Sequence, residues 1–145
     1  PDSWIEKRMR GIEIRETLTD EWKIRGIEDQ KDFAILTAEI HEAAFNVKPS
    51  EHKKIKNLNR ENLRDHMTDI EQIISMLGEA TTTNIVRKED PKGITENKKV
   101  AKRGGSVAKS ARINYEIETG EKVVTQENFI SGSNFDSLPL DEMES

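Results

Sequence analysis

Asn59-Arg60-Glu61-Asn62-Leu63-Arg64-Asp65-His66-Met67-Thr68-Asp69 runs into Ile70-Glu71-Gln72-Ile73-Ile74-Ser75-Met76-Leu77-Gly78-Glu79-Ala80, and the second half of this stretch decides the fold. Ile70, Ile73, Ile74 and Leu77 stand at i, i+3, i+4 and i+7, the clearest helical face in the chain. The spacing predicts a helix from near Thr68 or Asp69 to about Lys88, with its isoleucine face in the core. Its second half, Thr81-Thr82-Thr83-Asn84, has low helix propensity but small side chains, which suit close helix packing. Asp90-Pro91-Lys92-Gly93 then reads as the turn that ends it.

Upstream, Ser3 and Glu6 have capping-box spacing for a first helix, Trp4 to Thr17, with Ile5, Met9, Ile12 and Glu16 on one face, widened by Trp4, Ile14 and Leu18. Thr19 is placed to cap a short second helix, Asp20–Arg25, stopped by Gly26. Trp4 and Trp22 are expected in the core. Gln30 to Asn46 is the most apolar helix, opened by Asp29 or Asp32, with His41 at the edge of its buried face. No second His or Cys stands at ligand spacing, so no metal is implied. Pro49 punctuates the turn that follows, and Ser50 can cap a short basic helix, Glu51 to Leu58. This pair has a loose helix-turn-helix outline, and the expectation is a packed helical hairpin.

Downstream, a helix starting at Ile94 or Thr95 carries Lys98, Lys99, Lys102 and Arg103 until Gly104-Gly105 breaks it. Ser106 then caps a last helix, Val107 to Thr119, terminated by Gly120. Glycines ahead of a helix N-terminus, flanked by Arg103 and Lys109, are suited to an anion at Gly104, Gly105 and Ser106. A hinge or tight turn is the plainer reading, and the Walker spacing is absent. Lys122-Val123-Val124-Thr125 can form one short extended segment, and Gln126 to Ile130 a single helical turn tucking in Phe129. Residues 131–145 read as a flexible, disordered acidic tail. Phe135, Leu138, Leu140 and Met143 within it make a candidate docking motif.

The 145 residues suffice for one domain plus a tail. Cysteine is absent, which excludes disulfides and thiolate sites and fits a reducing cytoplasm. No apolar run approaches a membrane span. The net charge of −5 conceals blocks: residues 48–64 carry +4 and residues 86–112 carry +6, set among acidic stretches. Solvated helix faces explain such blocks; so does an electrostatic footprint for nucleic acid. The candidate contacts for the latter are Lys53, Lys54, Lys56, Arg60, Lys98, Lys99, Lys102, Arg103, Lys109 and Arg112. Arg64-Asp65-His66 invites an acid–base reading, but adjacent residues point apart. No catalytic signature appears, and neither an enzyme nor a cofactor is expected.

Six stretches resemble one family. They begin with Leu18-Thr19-Asp20-Glu21-Trp22-Lys23-Ile24-Arg25-Gly26, Phe33-Ala34-Ile35-Leu36-Thr37-Ala38-Glu39-Ile40 and Leu58 to Asp69. Leu77-Gly78-Glu79-Ala80-Thr81-Thr82-Thr83, Gly104-Gly105-Ser106-Val107-Ala108 and Thr119-Gly120-Glu121-Lys122-Val123-Val124 complete the set. Together they resemble the C-terminal region of prophage antirepressors of the BRO type and of DNA-damage-inducible protein D, over Trp4 to Ile130. The resemblance implies a missing N-terminal BRO domain, consistent with a start at Pro1 rather than Met. It implies a regulatory role in phage or mobile-element control or the SOS response, and no catalytic residues.

The sequence therefore predicts an all-α domain of five to seven helices over residues 1–130, with a short extended segment and an acidic tail. The expected function is a non-enzymatic cytoplasmic module acting through a protein partner, a repressor or a damage-response protein, with DNA as a further candidate. A nucleic-acid-binding accessory domain and a homo-oligomerising (dimerisation) domain are the alternatives.

Overall fold

The computed structural model describes residues 2–128, and within them the chain is helical throughout its regular structure. The elements are α1 (Asp2–Ile24), α2 (Gln30–Phe45), α3 (Pro49–Ile55), a 3₁₀ turn (Leu63–His66), α4 (Asp69–Glu89) and α5 (Gly93–Thr119). Five α-helices lie at the lower end of the expected range, because two expected breaks do not occur.

The first is at Thr19. Its hydroxyl donates to the Arg15 carbonyl one turn back (2.9 Å) instead of capping a new helix, and α1 continues to Ile24. The second is at Gly104-Gly105, which sit inside α5 with ordinary helical φ and are both buried. Close approach is their purpose. A Cβ on Gly105 would lie 2.5 Å from the Ile40 carbonyl oxygen and 2.6 Å from Ala43 Cβ on α2. One on Gly104 would lie 2.9 Å from Thr82 Cα on α4. The expected anion site at Gly104, Gly105 and Ser106 therefore does not form. No helix starts there, so no N–H groups are free to receive an anion.

Cross-helix pairs fix the topology. Lys7–Asp69, Arg15–Glu79 and Arg25–Asp90 run in register, so α1 lies parallel to α4. Gly104 meets Thr82, and Ala108 meets Gly78, so α5 returns antiparallel to α4. Glu39 faces Lys98 and Lys102, and Arg112 reaches Ala44, so α2 runs parallel to α5. Thr82 donates to the Gly78 carbonyl (2.7 Å), which hides its hydroxyl while its small side chain packs on Gly104.

Helix ends follow local chemistry. Thr68 and Glu71 form a reciprocal capping box at the start of α4. Asp29 caps α2, and the Lys48 N–H bonds Glu51 across the Pro49 start of α3. Asn46, Asp90 and Gly120 close α2, α4 and α5 in the left-handed conformation.

Apolar packing gathers in two clusters. Leu18, Trp22, Ile27, Leu36 and Ile40 form one; Phe45, Leu58, Leu63, Met67, Ile74 and Val123 anchor the other. Trp4 is also buried, its indole N–H donating to the Met67 carbonyl (3.2 Å). Two expected faces are corrected. On α1 the buried stripe is Trp4, Gly11, Leu18 and Trp22, so Trp4, Leu18 and Trp22 are inside as expected, while Ile5, Met9 and Ile12 are 50%, 61% and 42% exposed. On α4 only Ile74 of the isoleucine face is fully buried, and Ile73 is 44% exposed.

Residues 121–128 form an irregular strap, with no strand among the described residues. Phe129, Ile130 and the stretch 131–145, with its expected docking motif, lie outside the described residues.

Candidate functional site

The side of α4 that the hydropathy pattern assigns to solvent is the one the fold buries. Glu71, Gln72, Ser75, Glu79, Thr82 and Thr83 are all inside, because α1 and α5 pack on opposite flanks of α4 and α2 also reaches it. Burying two carboxylates is tolerable only with ionic and hydrogen-bonding partners. The fold supplies them in two groups.

The first group centres on Glu71. Its Oε1 accepts the Lys56 ammonium (2.7 Å) and the Thr68 N–H (2.8 Å), and its Oε2 meets His52 Nε2 (2.7 Å). His52 Nδ1 lies 3.0 Å from His41 Nε2. Chemistry orients this chain. Lys56 only donates, so Glu71 is the acceptor, and His52 gives it Nε2–H. Of the facing nitrogens, His52 Nδ1 and His41 Nε2, one donates and the other accepts. Lys56 also donates to the carbonyls of Thr125 (2.9 Å) and Glu127, fixing the strap. His41 packs on Phe45 with ring centroids 4.7 Å apart. Burial, with the positive charges of Arg64 and Arg15 and the neighbouring His52, pushes the His41 pKa down to about 3.

The second group centres on Glu79. Arg64 from the 3₁₀ turn reaches it through Nη1 (3.1 Å), and Arg15 from α1 through Nε (2.7 Å). Arg64 Nε also meets the Gln72 side-chain oxygen (3.3 Å), and the Gln72 amide returns a bond to the Arg64 carbonyl. Gly11 lets α1 pass over this guanidinium, since a Cβ there would lie 2.8 Å from Arg64 Nη2. Burial draws Arg64 below its ordinary pKa, and Glu79 opposes that shift.

Arg64, Asp65 and His66 diverge, as adjacent residues must. Asp65 pairs with Arg8 (2.9 Å), and His66 Nδ1 meets Asn128 Oδ1 (2.8 Å). His41 does sit at a core edge, but His52 on α3 is its partner, a pairing across two helices that spacing along the chain does not reveal. No group of three or more His, Cys, Asp or Glu among the described residues is arranged to hold a metal ion.

The basic residues singled out as nucleic-acid contacts separate into three classes. Lys56 and Arg112 are corrections: both are buried. Lys56 serves Glu71, and Arg112 donates Nε to the Ala44 carbonyl (2.7 Å) and Nη1 to Glu116 (3.0 Å). Lys98 and Lys102 stand 3.9 Å from Glu39, and Arg103 makes a two-pronged bond with Glu89 (2.7 and 2.8 Å). That bond raises the Arg103 pKa and lowers that of Glu89. Lys53, Lys54, Arg60, Lys99 and Lys109 make no ion pair among the described residues, and all but the half-buried Lys53 are exposed.

No family model matches this chain, and no curated protein or solved structure does either. No helix among the described residues is long and apolar enough to cross a membrane.

Proposed function

We propose that this chain is a non-enzymatic regulatory module, of the kind found in BRO-type antirepressors and damage-inducible proteins, that acts in the cytoplasm by holding a protein partner. The carrying observation is the α1 stripe. Ile5, Met9 and Ile12, at i, i+4 and i+7, keep about half their surface in water while the neighbouring Trp4–Gly11–Leu18 stripe is buried. Three large apolar side chains aligned on one face form a surface that a second helix or groove can cover. The stretches behind the resemblance support the same reading. They supply the Gly104–Thr82 crossing, the Arg64–Glu79 pair and the Trp22 core, so what they specify is a scaffold.

The test is a Met9→Glu/Ile12→Glu variant compared with wild type after purification from the native host. The reading expects one stoichiometric partner on the wild type, absent from the variant, at equal melting temperature. Equal partner content on both would refute it. Sedimentation of the same pair shows whether the occupant is instead a second copy, the dimerisation alternative.

DNA binding is a second reading, favoured by the basic side chains that the fold leaves without acidic partners. Its signature is affinity that falls linearly in log–log form with salt, with a slope set by the number of phosphates neutralised. No binding at low salt would end it.

A further inference from the structure

We propose that residues 121–128 are a latch: a strap that opens as its own unit, with the buried ammonium of Lys56 as its main polar fastening to the helical body. Three observations carry this. The strap has no regular structure and follows a helix already terminated at Gly120 by a left-handed residue. It is seated by Val123, which is 1% exposed and packs in the cluster that contains Leu58, Leu63 and Ile74, with the half-buried Val124 against the same cluster. Its polar attachments among the described residues are specific. Lys56 Nζ donates to the Thr125 and Glu127 carbonyls, the Val123 N–H donates to Glu116 Oε2 (3.0 Å), and Asn128 meets His66.

The fastening is built from side chains that are costly to bury, which a passive loop does not need. Lys56 and Glu71 each have fully buried side chains, and the same carboxylate holds the α4 capping box and His52. The ammonium's three protons are consumed by Glu71 and two strap carbonyls. Closing the strap therefore completes the coordination of Lys56, and opening it leaves two donors to be met by water. α2, α4 and α5 hold one another through the Gly78, Gly104 and Gly105 crossings, to which the strap contributes nothing. This separation lets one segment open while the body stays folded. The open state uncovers the seat beside Ile70 and Tyr115, which pack on the same cluster and line a cleft of about 780 Å³ with Val123 and Lys122.

Amide hydrogen exchange on the full chain tests this, with the Val123 N–H as reporter and the Ile74 and Ala108 N–H groups as the body. In wild type, Val123 exchange is expected to be nearly independent of added urea while the body amides follow the global unfolding slope. Lys56→Met/Glu71→Gln, which removes the ammonium without stranding the buried carboxylate, is expected to speed Val123 exchange at least tenfold relative to the body. Val123 sharing the urea dependence of the body, or body and strap accelerating by the same factor in the double variant, would overturn the latch. So would unchanged Val123 exchange in a folded variant.

Discussion

Gly105→Ala separates two accounts of the middle of α5 by the sign of its effect. If Gly104-Gly105 were a break between helices, or an exposed stretch, alanine would help. The gain in helix propensity over glycine is about 0.5–1 kcal/mol. In the fold described, the new Cβ meets backbone on the facing helix: the Ile40 carbonyl oxygen at 2.5 Å, Ala43 Cβ at 2.6 Å and the Ala44 nitrogen at 3.3 Å. None of these is the tip of a flexible side chain, so α2 and α5 must separate, at a cost of roughly 1–3 kcal/mol or more for overpacking. The crossing lies at the centre of the α2–α5 contact, which places the cost at the upper end. Subtracting the propensity gain leaves a net loss of roughly 2 kcal/mol, or a Tm lower by about 6–10 °C for a domain of this size. Thermal unfolding followed by circular dichroism reads it. Ser106→Ala, one residue on and exposed, is the internal control, with an expected change within about 0.5 kcal/mol. A Gly105→Ala protein as stable as wild type, or more so, would refute the packing account.

Other consequences follow from particular side chains. His41, whose folded pKa of about 3 lies below its ordinary 6.5, binds a proton more readily when unfolded. Stability is therefore full above about pH 6.5 and is lost as pH falls towards 3, by roughly 3–5 kcal/mol from this residue alone. His41→Gln, which keeps a hydrogen-bonding partner for His52, should flatten that part of the stability–pH curve; an unchanged acid slope would contradict the assignment. Met9→Glu/Ile12→Glu should leave the midpoint of urea unfolding within about 1 kcal/mol of wild type, since both side chains are already in water. A large loss would mean that this face is core after all. Asn57, exposed and at φ 62°, should accept glycine with a gain of up to about 1 kcal/mol, read from the same unfolding curves; a loss would mean that the left-handed turn is misplaced.

The helical class, the ends of α4, the α2 core and the burial of both tryptophans were legible from periodicity, caps and turn residues. What misled the reading was physical. The pattern of hydrophobicity cannot show that a carboxylate will be buried, because that depends on a cation arriving from elsewhere. Glu71 waits for Lys56, fifteen positions upstream, and Glu79 for Arg15, sixty-four upstream. On α1, Trp4, Gly11, Leu18 and Trp22 include a glycine, which scores as neither apolar nor as a packing residue until Arg64 is seen against it. Gly104-Gly105 carries opposite meanings as a break and as a crossing point, and only the facing Ile40 and Thr82 decide. A trace was available: Thr82-Thr83 and Gly104-Gly105 are the small-residue runs in two adjacent long helices, and pairing them gives the α4–α5 register.

The same reasoning applies to part of the basic blocks. Lysines and arginines of the 48–64 and 86–112 segments read as one footprint, yet Lys56, Arg64 and Arg112 are internal struts and Arg103 is tied to Glu89. These side chains hold the scaffold together. A double-mutant cycle on Lys56→Met and Glu71→Gln tests that claim most directly, by urea unfolding of the two single variants and the double. If the buried pair is a strut, each single variant loses roughly 3–5 kcal/mol and the double loses at least about 2 kcal/mol less than their sum. Losses that add to within about 0.5 kcal/mol would contradict it.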